Sequence, residues 1–159
     1  YDPAHKVLRL SDSVYGSTSV AAIGVAAHEC GHAVQHDKGY APLKIRSALV
    51  PAANIGSKAG IPLIILGAIL GMNQTLIQIG IWVFALAVLF QVVTLPVEFN
   101  ASGRALAMLG DYGMLERDET AGCRKVLKAA ALTYVAAAAS AILQLLRLVL
   151  LFGNRSRDD

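Results

Sequence analysis

Charged and aromatic side chains are scarce in this sequence of 159 residues: 16% are Asp, Glu, Lys or Arg and 6% are Phe, Trp or Tyr, whereas 55% are hydrophobic. Such a small charged fraction is unusual for a soluble domain. The two cysteines, Cys30 and Cys123, do not indicate a disulfide framework. The net charge of +3 comes from dispersed basic residues without interleaved aromatics, which argues against a nucleic-acid partner.

The sequence contains long apolar stretches with few or no charged residues. Residues 75–97 contain no Asp, Glu, Lys or Arg over 23 positions and predict a membrane-spanning helix. The preceding apolar stretch, residues 48–72, is long enough to cross if Lys58 snorkels towards one interface. Together these two segments predict a membrane hairpin. A third apolar run, residues 130–152, predicts a last membrane helix.

The motif His28-Glu29-Cys30-Gly31-His32 has the pattern H-E-x-x-H. Residues four apart on a helix lie on one face, about 6 Å apart along the axis, so His28 and His32 can share one metal ion. Glu29 is close enough to take a proton from a water on that metal. Residues 20–27 are apolar on every side and predict a buried helix, where polar side chains need partners. Zinc suits such a site because imidazole is a good zinc ligand.

A catalytic zinc site needs a third protein ligand. His36 lies about 6 Å past His32 along the helix, too far to share its metal, and we expect it to be solvated. His5 precedes the helix. Four acids have the positions of loop and helix-start residues, namely Asp111, Glu116, Asp118 and Glu119. Glu98 directly follows the uncharged run, where a carboxylate is either snorkelling or functional, and a hairpin would return it towards the motif. The residues alone leave these alternatives open.

The chain resembles the YugP-type membrane neutral zinc metallopeptidases in two segments that occur together: HECGHAVQH at residues 28–36 and, after the hydrophobic hairpin, LPVEFNAS at residues 95–102. The similarity covers nearly the whole chain, including YDP and KVLRLS near its start and ALTYVAAAA near its end. The arrangement is also similar to the wider gluzincin class, including the HtpX-like membrane proteases, in which a glutamate on a second helix completes the site.

This resemblance implies a membrane-bound zinc endopeptidase with one zinc ion held by His28, His32 and Glu98, and with Glu29 as the catalytic base. Its partners would be protein or peptide substrates, membrane proteins among them, and the lipid bilayer. In HtpX-like enzymes an aspartate follows the glutamate by four residues, whereas here that position is Ser102. Support of a ligand histidine by this residue therefore remains open.

We expect a mainly α, integral membrane protein with about three membrane helices, a zincin-like motif helix and one short strand at residues 6–10. That strand could align an extended substrate by edge pairing. The expected segments of one metallopeptidase domain, 1–159, are a strand and motif helix (1–47), a membrane hairpin (48–97), a third-ligand helix with a charged segment (98–129), a last membrane helix (130–152) and a tail (153–159). Because the sequence begins at Tyr1, and because the resemblance implies an N-terminal span and a small polar region, we expect an N-terminally truncated enzyme.

Basic residues beside the spans predict that the site faces the cytoplasm from a multi-pass position in the plasma membrane. They are Arg104, Arg117, Arg124, Lys125 and Lys128. Tyr134, at the start of the last apolar run, is a candidate for stabilising an oxyanion, although tyrosines at membrane interfaces commonly act as anchors.

An intramembrane protease would bury its motif within a span, whereas Asp37 and Lys38 follow this one closely. Four histidines are too few for a membrane di-iron oxygenase. The non-enzymatic alternative is a helical membrane scaffold with a structural metal site.

Overall fold

The computed structural model describes residues 1–153, which form helices joined by short turns. The helices are α1 (Asp12–Tyr15), α2 (Val20–Asp37), α3 (Ala41–Ile69), α4 (Gln74–Asp111) and α5 (Arg117–Leu148), and a π-helical turn, Val149–Gly153, follows α5. The prediction of a mainly α protein is confirmed. Three helices are long and apolar enough to cross a membrane: α3, α4 and the helical segment Arg117–Gly153. Except for Gly153, the predicted tail lies outside the described residues.

The strand predicted at residues 6–10 is wrong, since the described part of the chain contains no strand. Asp2 and Val7 form a single antiparallel bridge, with N–O distances of 2.9 and 3.2 Å. The Asp2 carboxylate accepts hydrogen bonds from the backbone N–H groups of Ala4 and His5, which closes a local turn in place of an extended segment. Lys6 has a left-handed backbone conformation, with φ 53°, so the chain bends within the predicted strand.

The ends of α2 follow from their capping residues. The Ser19 hydroxyl accepts a hydrogen bond from the Ala22 backbone N–H at 3.2 Å, as expected of an N-cap. After the helix, Gly39 has φ 63° and the Tyr40 N–H donates to the Gln35 carbonyl at 2.9 Å. The left-handed glycine and the hydrogen bond that reaches back five residues, from Tyr40 to Gln35, end α2 and direct the chain into α3.

The helices extend further than the apolar runs from which they were predicted. α3 begins at Ala41 and continues through Pro51 and Pro62. α4 continues through Pro96, so Glu98 lies on the same helix as the uncharged run and does not begin a separate helix. Membrane helices tolerate such prolines when neighbouring groups satisfy the freed backbone. α5 begins at Arg117, well before the apolar run that starts at residue 130. The residues between them are rich in alanine, leucine, lysine and arginine, which favour a helix although many of them are polar.

The chain divides into two compact units, and the first contains residues 1–44 and 95–134. In it α2 packs against the last part of α4 and the first part of α5. Its buried apolar core consists of Ala27, Ala105, Leu109, Cys123 and Leu127. Gly24 lies against Cys123, where a Cβ atom would be 2.7 Å from the sulfur. This unit contains the histidines of the motif and Glu98.

The second unit contains residues 45–94 and the described residues from 135 onward. Here α3 and the first part of α4 form an antiparallel hairpin whose helices approach closely at glycines. A Cβ atom on Gly56 would lie 2.3 Å from the Val83 carbonyl oxygen, and one on Gly80 would lie 2.8 Å from the Gly60 carbonyl oxygen. Small residues at such contacts let the backbones of membrane helices pack together. The buried cluster of this unit is Ile64, Ile77, Ile81 and Leu148.

Candidate metal centre

Two histidines from α2 and one glutamate from α4 converge in the first unit. His28, His32 and Glu98 each offer a ligand atom, and these atoms lie within 4.8 Å of one another. The Nε2 atom of His28 is 3.0 Å from Glu98 Oε2, and that of His32 is 3.6 Å from Glu98 Oε1. Their side chains are only 17%, 12% and 6% exposed, respectively. The structure thus brings together the three residues that the resemblance implies as ligands.

The other candidate ligands lie elsewhere. His36, which was expected to be solvated, is half-buried, and its Nδ1 is hydrogen-bonded to the Tyr1 hydroxyl at 2.7 Å. His5 is 71% exposed and contacts the Asp2 carboxylate at 2.8 Å. Glu119 accepts a hydrogen bond from the Glu116 backbone N–H at the start of α5. Within residues 1–153, these side chains do not join the His-His-Glu group.

A close backbone contact positions α2 on α4. A Cβ atom at Gly31 would lie 2.3 Å from the carbonyl oxygen of Ala101. Only glycine allows this approach, because real Cβ atoms do not come so near to a backbone oxygen. Gly31 lies between His28 and His32, and Ala101 is three residues beyond Glu98. The contact therefore brings both imidazoles to the turn of α4 that carries the carboxylate.

The other nitrogen of each imidazole has a protein partner. His28 Nδ1 is 2.9 Å from the Ser102 hydroxyl, and His32 Nδ1 is 2.9 Å from Gln35 Oε1. Ser102 therefore contacts a motif histidine from the position that the HtpX-like pattern fills with aspartate. Since both Nδ1 atoms are hydrogen-bonded, the Nε2 atoms are the ones available to a ligand.

The donor set fits a divalent cation. An amide oxygen only accepts hydrogen bonds, so the contact with Gln35 requires a hydrogen on His32 Nδ1 and, in the neutral ring, a lone pair on Nε2. That lone pair faces the Glu98 carboxylate at 3.6 Å. Two acceptors that face each other need a cation between them, either a proton or a metal ion. Two imidazole nitrogens with one carboxylate oxygen are a ligand set that zinc accepts.

A cavity of about 220 Å³ opens beside the three side chains. Glu29 also lines it, with 27% of its side chain exposed, and its carboxylate contacts the amino nitrogen of Tyr1. Tyr134 lines the cavity from α5. The remaining wall is mostly apolar and consists of Val25, Leu127, Ala130 and Ala131. The cavity thus places an acid–base group and a phenol beside the candidate ligands.

Sequence reasoning missed Gln35 as part of this centre. It is completely buried, and only its position three residues after His32 could have indicated a contact on the same helix face. Its partners on α4 are not visible in the sequence, because they depend on how the two helices pack.

Comparison with known proteins gives two matches. The profile of the family described as "Putative neutral zinc metallopeptidase" matches residues 1–153. The chain is 48% identical to the "Putative membrane protease YugP" of Bacillus subtilis (strain 168), over all 159 residues and 70% of that protein's length. No solved structure matches the chain.

Replacing Glu98 by alanine should abolish most metal binding. Losing a residue that merely orients a metal ligand costs 10–100-fold in affinity, so losing the carboxylate itself should weaken zinc binding at least about 100-fold. Elemental analysis of the purified protein should show about one zinc per chain in the parent and a small fraction of that in Glu98→Ala.

Glu119→Ala is the matched control, because this acid lies at the start of α5 and outside the His-His-Glu group. It should keep the zinc content of the parent. Full zinc occupancy in a folded Glu98→Ala protein, checked by circular dichroism, would contradict the prediction and direct the search to His5 or the acids near residue 116.

Proposed function

Because the chain belongs to the neutral zinc metallopeptidase family, we propose that it is a membrane-bound zinc endopeptidase that hydrolyses peptide bonds of protein substrates. One observation carries the proposal: the ligand atoms of His28, His32 and Glu98 lie within 4.8 Å of one another at a cavity that Glu29 also lines. Sequence relatives supply the reaction class, and the cavity supplies a place for a peptide bond beside the proposed metal site.

His28, His32 and Glu98 are the residues that would hold zinc, through two Nε2 atoms and one carboxylate oxygen. Zinc held by these residues would lower the pKa of a bound water molecule towards 7 and would polarise a peptide carbonyl group. The Ser102 and Gln35 contacts keep the two imidazole rings oriented for this task.

Glu29 is the proposed general base. Its carboxylate takes a proton from the attacking water while the water oxygen bonds to the peptide carbonyl carbon. The same group then gives that proton to the leaving nitrogen as the C–N bond breaks, so the carboxylate is regenerated in each cycle. The position of Glu29 directly after His28 keeps it at the cavity and beside the proposed metal site.

Tyr134 is the proposed donor to the developing oxyanion. Its phenol is on α5, and it lines the same cavity as Glu29. A hydroxyl donor in a partly water-excluded site stabilises charge that appears on the carbonyl oxygen in the transition state.

Glu29→Gln should keep zinc and lose peptide hydrolysis. The amide preserves the size of the side chain but cannot accept the proton, and general-base catalysis is worth about 10²–10⁴-fold in rate. Zinc content and cleavage of an unfolded membrane-protein substrate should be measured on the same preparations. Undiminished cleavage would remove Glu29 from its proposed role, and a zinc-loaded parent protein that cleaves nothing would favour the structural scaffold.

The cavity wall indicates which side chains a substrate presents next to the cleaved bond. Val25, Leu127, Ala130 and Ala131 are apolar, so a peptide with an apolar side chain at this point buries it without leaving a polar group unpaired. Ala130 is itself exposed, and a larger residue there would extend into the cavity without disturbing a packed core.

Ala130→Leu should therefore reduce the space for large apolar substrate side chains. We expect KM for peptides with leucine or phenylalanine beside the cleaved bond to rise about 10-fold or more, with less change for alanine, as a change of pocket size by a few methylenes implies. Ala129→Leu is the matched control, because Ala129 is exposed and does not line the cavity. Equal effects of both variants on KM would count against the pocket assignment.

We further propose that the protein is a multi-pass protein of the plasma membrane whose site faces the cytoplasm. Three helices are long and apolar enough to cross, and the similar Bacillus protein is named a membrane protease. Basic residues concentrate around the start of α5, which includes Arg117, Arg124 and Lys125, and such residues favour the cytoplasmic side.

This orientation predicts the labelling of a cysteine at an exposed position of α5. In Lys125→Cys, a membrane-impermeant maleimide should react in inside-out vesicles and not in right-side-out vesicles. The parent protein gives the background from Cys30 and Cys123, the second of which is buried. Reaction in right-side-out vesicles would reverse the proposed orientation.

A further inference from the structure

Gln35 is a fully buried polar residue, with 0% exposure, one helical turn after His32. A primary amide in such a place destabilises the fold unless its oxygen and its NH2 group are hydrogen-bonded. Both are. Oε1 accepts from His32 Nδ1 at 2.9 Å, and Nε2 donates to the Val97 carbonyl at 2.8 Å and to Asn100 Oδ1 at 3.0 Å.

Two neighbours fix which way the amide points. The Val97 carbonyl can only accept a hydrogen bond, so the NH2 group of Gln35 must face α4. Arg104 Nε can only donate, and it does so to Asn100 Oδ1 at 2.8 Å, so this atom is an oxygen that accepts from Gln35 as well. The Arg104 guanidinium in turn lies over the Tyr40 ring, 5.9 Å from its centroid. The oxygen of Gln35 is therefore left for His32.

The orientation of the Gln35 amide determines which nitrogen of His32, a proposed metal ligand, carries the hydrogen. With an amide oxygen at Nδ1, the neutral imidazole of His32 carries its hydrogen there and presents the Nε2 lone pair towards Glu98. Ser102 cannot impose the same choice on His28, because a hydroxyl both donates and accepts. Of the two imidazole partners, only Gln35 has a fixed direction.

We propose that Gln35, oriented by Val97, Asn100 and Arg104, is a positioning residue that sets the tautomer of His32 and links this histidine to the turn of α4 that carries Glu98. Val97 directly precedes Glu98, so the Gln35–Val97 hydrogen bond connects a ligand on α2 with a ligand on α4. The part of this inference that concerns zinc rests on the proposed function, whereas the tautomer of His32 does not.

The central variant is Gln35→Met, which preserves side-chain length and removes both hydrogen-bonding ends. Zinc affinity, measured by competition with a chelator, should fall about 10–100-fold, the usual effect of removing a partner that orients a metal ligand. In the zinc-free protein with ¹⁵N-labelled histidine, the His32 signals should change from the Nδ1–H tautomer to a mixture of both tautomers. His32→Gln identifies these signals by their loss.

Gln35→Glu separates positioning from packing. A carboxyl group can still accept from His32 Nδ1, so this variant should keep the Nδ1–H tautomer and most of the zinc affinity, even where the altered contacts with α4 lower its melting temperature. Gln78→Met is the matched control, because it makes the same chemical change on the first part of α4, in the other unit. It should leave both readouts as in the parent protein.

The inference is overturned if Gln35→Met binds zinc as the parent does, or if His32 keeps the Nδ1–H tautomer without the amide. If Gln35→Met does not fold, Gln35→Glu carries the test, and a mixture of tautomers in that variant contradicts the proposal. A parent protein that binds no zinc would refute the proposed function, while the NMR signals of His32 would still decide whether Gln35 sets its tautomer.

Discussion

The close approach of two helix backbones at Gly31 and Ala101 is the constraint from which the centre follows. A Cβ atom at residue 31 would lie 2.3 Å from the Ala101 carbonyl oxygen, so any other residue there would force the helices apart. His28 and His32 flank Gly31 on α2, and a displacement of α2 would move both imidazoles away from Glu98. The glycine inside the H-E-x-x-H motif thus has a packing role as specific as the chemical roles proposed for its neighbours.

The sequence predicts the local half of this centre and only suggests the rest. The pairing of His28 with His32 follows from helix periodicity, which needs no knowledge of the fold. Glu98 is 70 positions from His28 and reaches it only through the packing of α2 on α4, which is why the residues alone left other ligands open and the family resemblance was needed. Gln35 lay outside prediction for the same reason, because its amide is oriented by groups on α4.

The parts of the fold that hydrophobicity determines, the long helices, were predictable from the sequence. The helix ends and the N-terminal turn, which depend on helix propensity and local hydrogen bonds, were less so. Apolar runs located the three long helices, but α4 continues past its uncharged run to Asp111, since helix propensity persists where hydrophobicity ends. The strand near the N-terminus failed for a different reason. A β-prone composition says nothing of an Asp2 side chain that closes a local turn or of the left-handed conformation of Lys6.

Charge explains why neutral partners suit the two imidazoles here. The Glu98 side chain is only 6% exposed, so a zinc ion held there would bind a carboxylate that is already largely removed from solvent. A second carboxylate against an imidazole, as in the HtpX-like pattern, would add a further negative charge to this largely buried group, and its burial would carry a desolvation cost. The Ser102 hydroxyl contacts His28 and the Gln35 amide contacts His32, so both rings have a hydrogen-bonding partner that adds no charge, and the role proposed for the amide adds selection of the His32 tautomer.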